Sequence, residues 1–214
     1  MSDITFYHSP QTRSSGTLVL LEELGAPYTL KVLDMKAGEQ RAPAYLAVNP
    51  SGKVPAITDR GALVTEQVAI FIHLADRFPE KRLAPPIGDP LRGPYLRWMA
   101  YYGSAFEPAV VDRAMKREPG TRAMSPYGDY DLVMRTVVEQ LRAGPYLLGT
   151  RFSAADILWG MALSWTTMFG LVPKEPEIAR YIEAFSRRPS VAKVTTEDAE
   201  LAAGHQVAVD GAAH

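Results

Sequence analysis

Two hydrophobic periods divide this chain. Before residue 80, short strand-like apolar runs alternate with helical repeats; beyond a proline-rich stretch only the helical repeat remains. Asp3-Ile4-Thr5-Phe6-Tyr7 predicts a strand ending at Ser9-Pro10. Residues 14–24 predict a helix whose Leu18, Leu21 and Leu24 share a buried face, closed by Gly25 and Pro27. Residues 28–33 read as a second strand, and residues 38–48 as a loop with a short helix around Ala44-Tyr45-Leu46. Strands over 54–58 and 62–64 flank the hairpin signal Asp59-Arg60-Gly61, and residues 67–78 form a third helix that stops before Pro79. The order is a βαβ half, which requires a parallel pair with a right-handed crossover, followed by a hairpin backed by a helix.

Pro79, Pro85, Pro86, Pro90 and Pro94, with Gly88 and Gly93, predict a stiff linker. Beyond it, helices are expected over 91–103, 127–141, 153–168 and 175–185. Glu107-Pro108 reads as a helix break and Asp112-Arg113 as an exposed pair. Ser153-Ala154-Ala155-Asp156 is a capping box with Asp in the usual Glu place, opening a helix that is apolar all round and therefore central. Pro189-Ser190-Val191 opens a last short segment, and the Ala- and Gly-rich residues 199–214 are expected to fray.

Composition removes several classes of function. A net charge of −1 argues against a polyanion-binding surface, so no nucleic-acid partner is expected. The absence of cysteine excludes disulfides, thioredoxin-type redox motifs and a cysteine nucleophile. No histidine–carboxylate spacing resembles a metal site. No apolar run approaches the roughly 18 residues of a membrane span. Met1 to Pro10 lacks a basic region followed by an apolar core, so a cytoplasmic protein without membrane association is expected.

Chemistry concentrates in two motifs. Asn49-Pro50-Ser51-Gly52-Lys53-Val54-Pro55 places a turn, a cation and an X-Pro bond before a strand. Val54-Pro55 is a candidate cis peptide, which would leave the Val54 main chain free to pair with an extended peptide. Thr65-Glu66-Gln67-Val68-Ala69-Ile70 places a carboxylate at the head of a helix, where charged ligand groups are also favoured. Together they describe a cradle for a small acidic peptide. On their own, Lys53 also reads as a solvated charge and Glu66 as a helix-dipole partner.

With Gly149 and Phe152-Ser153-Ala154-Ala155-Asp156 added, the chain resembles a cytosolic glutathione transferase of bacterial type over about residues 3 to 195. The resemblance implies an α/β thioredoxin-like domain (1–80), a linker (81–93) and an all-α C-terminal domain (94–214). It implies glutathione as co-substrate, a small hydrophobic electrophile as second substrate, and a homodimer. Pro55 would be the family's cis-proline, the Val54 main chain would pair with the cysteinyl part of glutathione, and Glu66 and Gln67 would hold its γ-glutamyl end. Lys53, with Lys36 or Gln40, would reach the glycyl end.

The thiol-activating group is not supplied by the resemblance. The cysteine of the bacterial cysteine branch falls at Arg13, the serine of the serine branches at Gln11, and the tyrosine of others at Tyr7. Among Ser9, Thr12, Arg13, Ser14 and Ser15, we expect Ser14 to face the thiol, assisted by the charge of Arg13, with Ser9 and Tyr7 as alternates. A plain helix cap competes for Ser14 or Ser15. Tyr102, Phe106, Trp165 and Phe169 are the expected electrophile pocket, against a core reading of the same aromatic stripe. Rival functions are a non-catalytic ligand-binding or scaffold module, and a glutathione-dependent peroxidase or disulfide reductase.

Overall fold

A computed structural model describes residues 3–118 and 120–212, the side chains of 206–212 excepted, and divides them into two units. The first unit joins both ends of the chain, Met1–Leu74 and Arg188–His214; the second is Ala75–Arg187.

The first unit is built on a four-stranded sheet: β1 (Ile4–His8), β2 (Thr29–Val32), β3 (Ala56–Asp59) and β4 (Ala62–Val64), in the order β2-β1-β3-β4. β1 and β2 are parallel, and the other pairs antiparallel. The β1–β2 crossover carries α1 (Ser14–Leu24), closed by Gly25 in the left-handed conformation, as its position after the last leucine predicts. Arg60 and Gly61, at φ 51° and 84°, form the two-residue hairpin turn between β3 and β4. α2 (Pro43–Leu46) and α3 (Gln67–Arg77) complete the predicted order. Phe6, Leu18, Leu20, Leu21, Leu24, Ile57, Ile70 and Phe71 make its core.

The C-terminal segment departs from expectation. Residues 189 onward form one long helix, α9 (Pro189–Ala212), in place of a short segment with a fraying tail. Long-range pairs hold it to α1. Arg188 grips Glu23 through Nε and an Nη at 2.7 and 2.6 Å, and Lys193 reaches Glu22 at 2.6 Å. Burial pushes the Glu23 carboxyl up, but hydrogen bonds from Arg188 and Ser190 and the Arg188 charge bring it below the ordinary carboxylate range. This helix, which the expected C-terminal domain of 94–214 includes, packs on the sheet-bearing unit.

In the second unit, α4 (Arg92–Tyr101), α5 (Glu107–Ala114), α6 (Tyr130–Arg142), α7 (Ala154–Met168) and α8 (Pro176–Ser186) form a bundle. The linker belongs to it, through Arg92–Asp76 and Arg151–Asp89 ion pairs and the Leu83 carbonyl, which accepts from Ala154 N. Glu107-Pro108 does not break the helix. A π-helical turn, Tyr102–Phe106, widens the ladder ahead of Pro108, which then occupies the first turn of α5, where a missing N–H costs little. Asp112 and Arg113 are also engaged, the first by the Tyr127 hydroxyl at 2.7 Å, the second over the Tyr130 ring.

α7 is the central helix, as predicted, and its capping box is present. The Trp159 indole donates to the Trp98 carbonyl at 3.0 Å. Gly160 lets α8 approach: a Cβ there would lie 2.4 Å from the Phe185 ring.

Candidate functional site

The sheet's connectivity gathers the candidate residues of the first unit at one end. β1 ends at His8 where β3 begins, since Tyr7 pairs with Ala56 and the strands are antiparallel. β2 is parallel to β1, so Val32 also ends there, beside His8. β4 runs against β3 and exits at Val64, opposite Ile57. The loops carrying residues 9–13, 33–42, 49–55 and 65–67 therefore share that end.

The Asn49–Pro55 loop is built to a single shape. The Asn49 Oδ1 accepts from the main chain and hydroxyl of Ser51, while its Nδ2 donates to the Lys53 carbonyl at 2.9 Å. The Tyr45 hydroxyl donates to that same carbonyl at 2.6 Å; burial raises the phenol and keeps it a donor. Gly52 has φ 60°, and a Cβ there would sit 2.7 Å from the Gln40 carbonyl, so the 33–42 loop closes against this turn only because the residue is glycine. The Val54-Pro55 bond is cis. Among the described residues, no hydrogen bond engages the Val54 main chain, and Val54 is only half-buried.

At the head of α3, Glu66 is exposed and holds a positive φ of 63°, a conformation non-glycine residues seldom adopt. The Gln67 side chain donates to the Arg13 carbonyl at 2.9 Å, tying this turn to the loop before α1. Lys53, Arg13 and Lys36 have exposed side chains, Gln40 is half-buried, and Pro55 is buried. The structure thus brings Lys53, Val54, Pro55, Glu66, Gln67 and Gln40 to one end of the sheet with Arg13.

Ser14 is not where a thiol-facing hydroxyl would be. It is fully buried, and its Oγ lies 2.8 Å from His8 Nδ1, 2.7 Å from Thr12 Oγ1 and 3.0 Å from the Ser9 carbonyl, and accepts from Ser9 N. Ser9 and Ser15 are buried too. The opening amides of α1 are likewise spoken for: Ser14 N donates to Thr12 Oγ1, Ser15 N to the Thr12 carbonyl and Gly16 N to the Arg13 carbonyl. Thr12 is the half-buried hydroxyl of this group. Tyr7 is half-buried, its ring 5.4 Å from that of Tyr45.

Behind them stands a residue the sequence did not flag. Asp198, from α9, accepts from Gln11 N at 2.8 Å and from Ser15 Oγ at 2.6 Å through Oδ2. Its Oδ1 lies 2.8 Å from His8 Nε2, and that imidazole is wholly buried. Burial raises the Asp198 carboxyl, but the His8, Ser15 and Gln11 hydrogen bonds and the His8 charge outweigh it and hold the group below the usual range. Gln11 itself sits at φ 56°, so the carboxylate holds the loop in a left-handed turn. A lone aspartate in Thr195-Thr196-Glu197-Asp198-Ala199-Glu200 carries no local signal.

In the second unit the aromatic candidates separate. Tyr102 and Phe106 are buried, their rings 5.8 and 4.9 Å from Trp159, which places both in the bundle core. Trp165 is half-buried with its ring 6.1 Å from Phe169, and Phe169 is 67% exposed beside an exposed Met168 at the end of α7.

Residues 2–76 match the family described as Glutathione S-transferase, N-terminal domain. Glutathione S-transferase GstA of Escherichia coli O157:H7 is 29% identical over 188 residues, covering 86% of this chain and 94% of that protein. A solved glutathione S-transferase from Actinobacillus pleuropneumoniae is 30% identical over 91% of this chain and 92% of its own, with a TM-score of 0.74. A glutathione transferase homologue from Sulfitobacter, solved with bound glutathione, is 29% identical over 92% of this chain and 99% of its own, with a TM-score of 0.73.

Proposed function

Because the chain belongs to the cytosolic glutathione transferase family, we propose that it binds reduced glutathione at this end of the sheet and activates its thiol for attack on small hydrophobic electrophiles. The observation that carries this reading is the uncommitted main chain of Val54 at the same end of the sheet as the exposed Glu66 carboxylate. An extended tripeptide pairs its cysteinyl amide and carbonyl with Val54, as a strand does with a sheet edge. Its α-ammonium meets Glu66, its α-carboxylate the Gln67 end of α3, and its glycyl carboxylate Lys53 and the Gln40 loop. The thiol then points toward the loop before α1, where a thiolate is the reacting species. Within the helical unit, Met168 and Phe169 are exposed beside Trp165, an apolar surface of the kind that takes flat or flexible apolar compounds.

Calorimetry with reduced glutathione tests the binding: Glu66→Gln weakens it about tenfold or more, the loss expected for a charge-assisted contact. Wild-type protein showing no saturation at millimolar peptide sinks the proposal. Saturable binding without turnover of chloronitroaromatics, hydroperoxides or small disulfides favours the non-catalytic module instead. Light scattering checks the expected homodimer.

A further inference from the structure

The loop before α1 lies at the outer end of a continuous polar chain that begins on α9. Asp198 Oδ2 is occupied by Gln11 N and Ser15 Oγ, leaving Oδ1 to His8 Nε2 at 2.8 Å. His8 Nδ1 meets Ser14 Oγ at 2.8 Å, and Ser14 Oγ meets Thr12 Oγ1 at 2.7 Å. His8 and Ser14 are fully buried and Thr12 is half-buried, so the chain reaches the surface at Thr12 alone of these three. The Phe6 ring, 5.5 Å away, lies beside the imidazole, and among the described residues Asp198 is the charged group in contact with it.

We propose that this chain is a proton relay, with His8 as the base, Asp198 as its orienting carboxylate, and Ser14 and Thr12 as the hydroxyls that connect it to a thiol at the surface. The inference rests on the glutathione reading for the identity of that thiol. Accepting a proton requires the tautomer of the neutral ring with its hydrogen on Nε2, the side of the Asp198 carboxylate 2.8 Å away, and Nδ1 as the acceptor. The Ser9 carbonyl accepts from both hydroxyls, Thr12 Oγ1 at 2.8 Å and Ser14 Oγ at 3.0 Å. For transfer these hydrogens turn, that of Thr12 to Ser14 Oγ and that of Ser14 to Nδ1, and the thiol S–H donates to Thr12 Oγ1.

Transfer moves each hydrogen one place inward. The S–H bond breaks and an N–H bond forms at Nδ1, while each hydroxyl loses one hydrogen and gains one. The products are a thiolate and an imidazolium beside Asp198. Every donor now points outward: Nδ1–H to Ser14, Ser14 to Thr12, Thr12 to sulfur. The buried ion pair stabilises one end of the charge separation and a hydroxyl donor the other. This arrangement explains why a histidine and a serine with no solvent face are held in line with the candidate site.

Thr12→Val cuts the relay, Thr12→Ser keeps it, and His8→Gln removes the base while keeping polar atoms. With glutathione bound, the ultraviolet absorbance of the thiolate is followed against pH, and folding is checked by circular dichroism melts. Thr12→Val and His8→Gln each lower the thiolate fraction at neutral pH by about tenfold, about one pKa unit, because the thiolate loses its hydroxyl donor in the first and its paired imidazolium in the second. The double variant loses no more than either single one, and Thr12→Ser stays within about twofold of wild type. A folded Thr12→Val protein with the wild-type thiol titration overturns the relay, as does full additivity in the double variant. Should His8→Gln not fold, the Thr12 pair decides alone. Wild-type protein that binds no glutathione overturns the functional reading, and the relay's part in activation with it; normal binding with an unmoved titration in Thr12→Val overturns the relay only.

Discussion

Asp198 in the sheet-bearing unit and Asp156 in the helical bundle are both buried carboxylates fed by main-chain and side-chain donors, yet they depart from the ordinary range in opposite directions. Asp156 accepts from Leu147 N, Ser153 N, the Ser153 hydroxyl and the Tyr181 hydroxyl, all neutral, at 2.8 to 3.0 Å. Burial outweighs them and pushes it up to about 6. Asp198 has fewer donors but faces an imidazole, and it lies below the usual value. A cage of neutral donors seats a carboxylate but leaves burial in charge of its ionisation, whereas an ionisable partner beside it tips the balance toward the charged form. The first arrangement caps α7; the second ties α9 to the loop beside the candidate site.

The comparison breaks most visibly if the neutral cage is emptied. Asp156→Ala leaves two amides and two hydroxyls unpaired inside the bundle, and we expect a loss of about 4 kcal/mol in urea unfolding. A loss under about 1 kcal/mol would mean the cage does not hold the bundle together.

The pH dependence separates the two residues by sign. The folded value of Asp156 lies above the unfolded one, so its stabilising contribution is full below about pH 4 and is lost as pH rises through about 6. The gap between 3.8 and about 6 limits this to on the order of 3 kcal/mol. Asp198 runs the other way: its contribution is present above the ordinary carboxylate range and is lost as pH falls through its depressed value. Unfolding free energies of wild type, Asp156→Asn and Asp198→Asn across acid pH should therefore give difference curves of opposite slope. Parallel curves would show that the two sites are electrostatically alike.

Asp198→Ala should cost about 2 kcal/mol, less than emptying the cage, because loop donors freed at Gln11 and Ser15 can turn toward water. Amide exchange at Gln11 should accelerate in the same variant; unchanged protection there would show the loop holds itself. The smallest effect is expected for Gln67→Ala, which removes one hydrogen bond to the Arg13 carbonyl and about 1 kcal/mol or less by thermal melting.

Local patterns made much of this molecule legible. The α1 boundaries, the Arg60-Gly61 turn, the cis Val54-Pro55 bond and the capping box each follow from chemistry within a few residues. The wider turn at Tyr102–Phe106 was not legible, since Pro108 read locally is a breaker and only the π geometry ahead of it accommodates the ring. Ser14 reads as a first-turn hydroxyl open to a ligand, because its partners His8, Ser9 and Thr12 close over it only once the strand end and loop are folded. Asp198 is separated from its partners Gln11 and Ser15 by 187 and 183 positions, and no window along the chain contains both. The same holds for α9, whose Ala-rich sequence looks weak until Arg188 and Lys193 meet Glu23 and Glu22.

The union of Met1–Leu74 with Arg188–His214 also has a consequence for biosynthesis. A ribosome delivers the sheet strands first and the helix that completes their unit last, with all of Ala75–Arg187 between. The nascent sheet must wait, with Ser15, Glu22 and Glu23 of α1 lacking their partners, for its final helix to emerge. A recombinant fragment ending near residue 80 would keep every strand yet lack the carboxylate that anchors its opening loop.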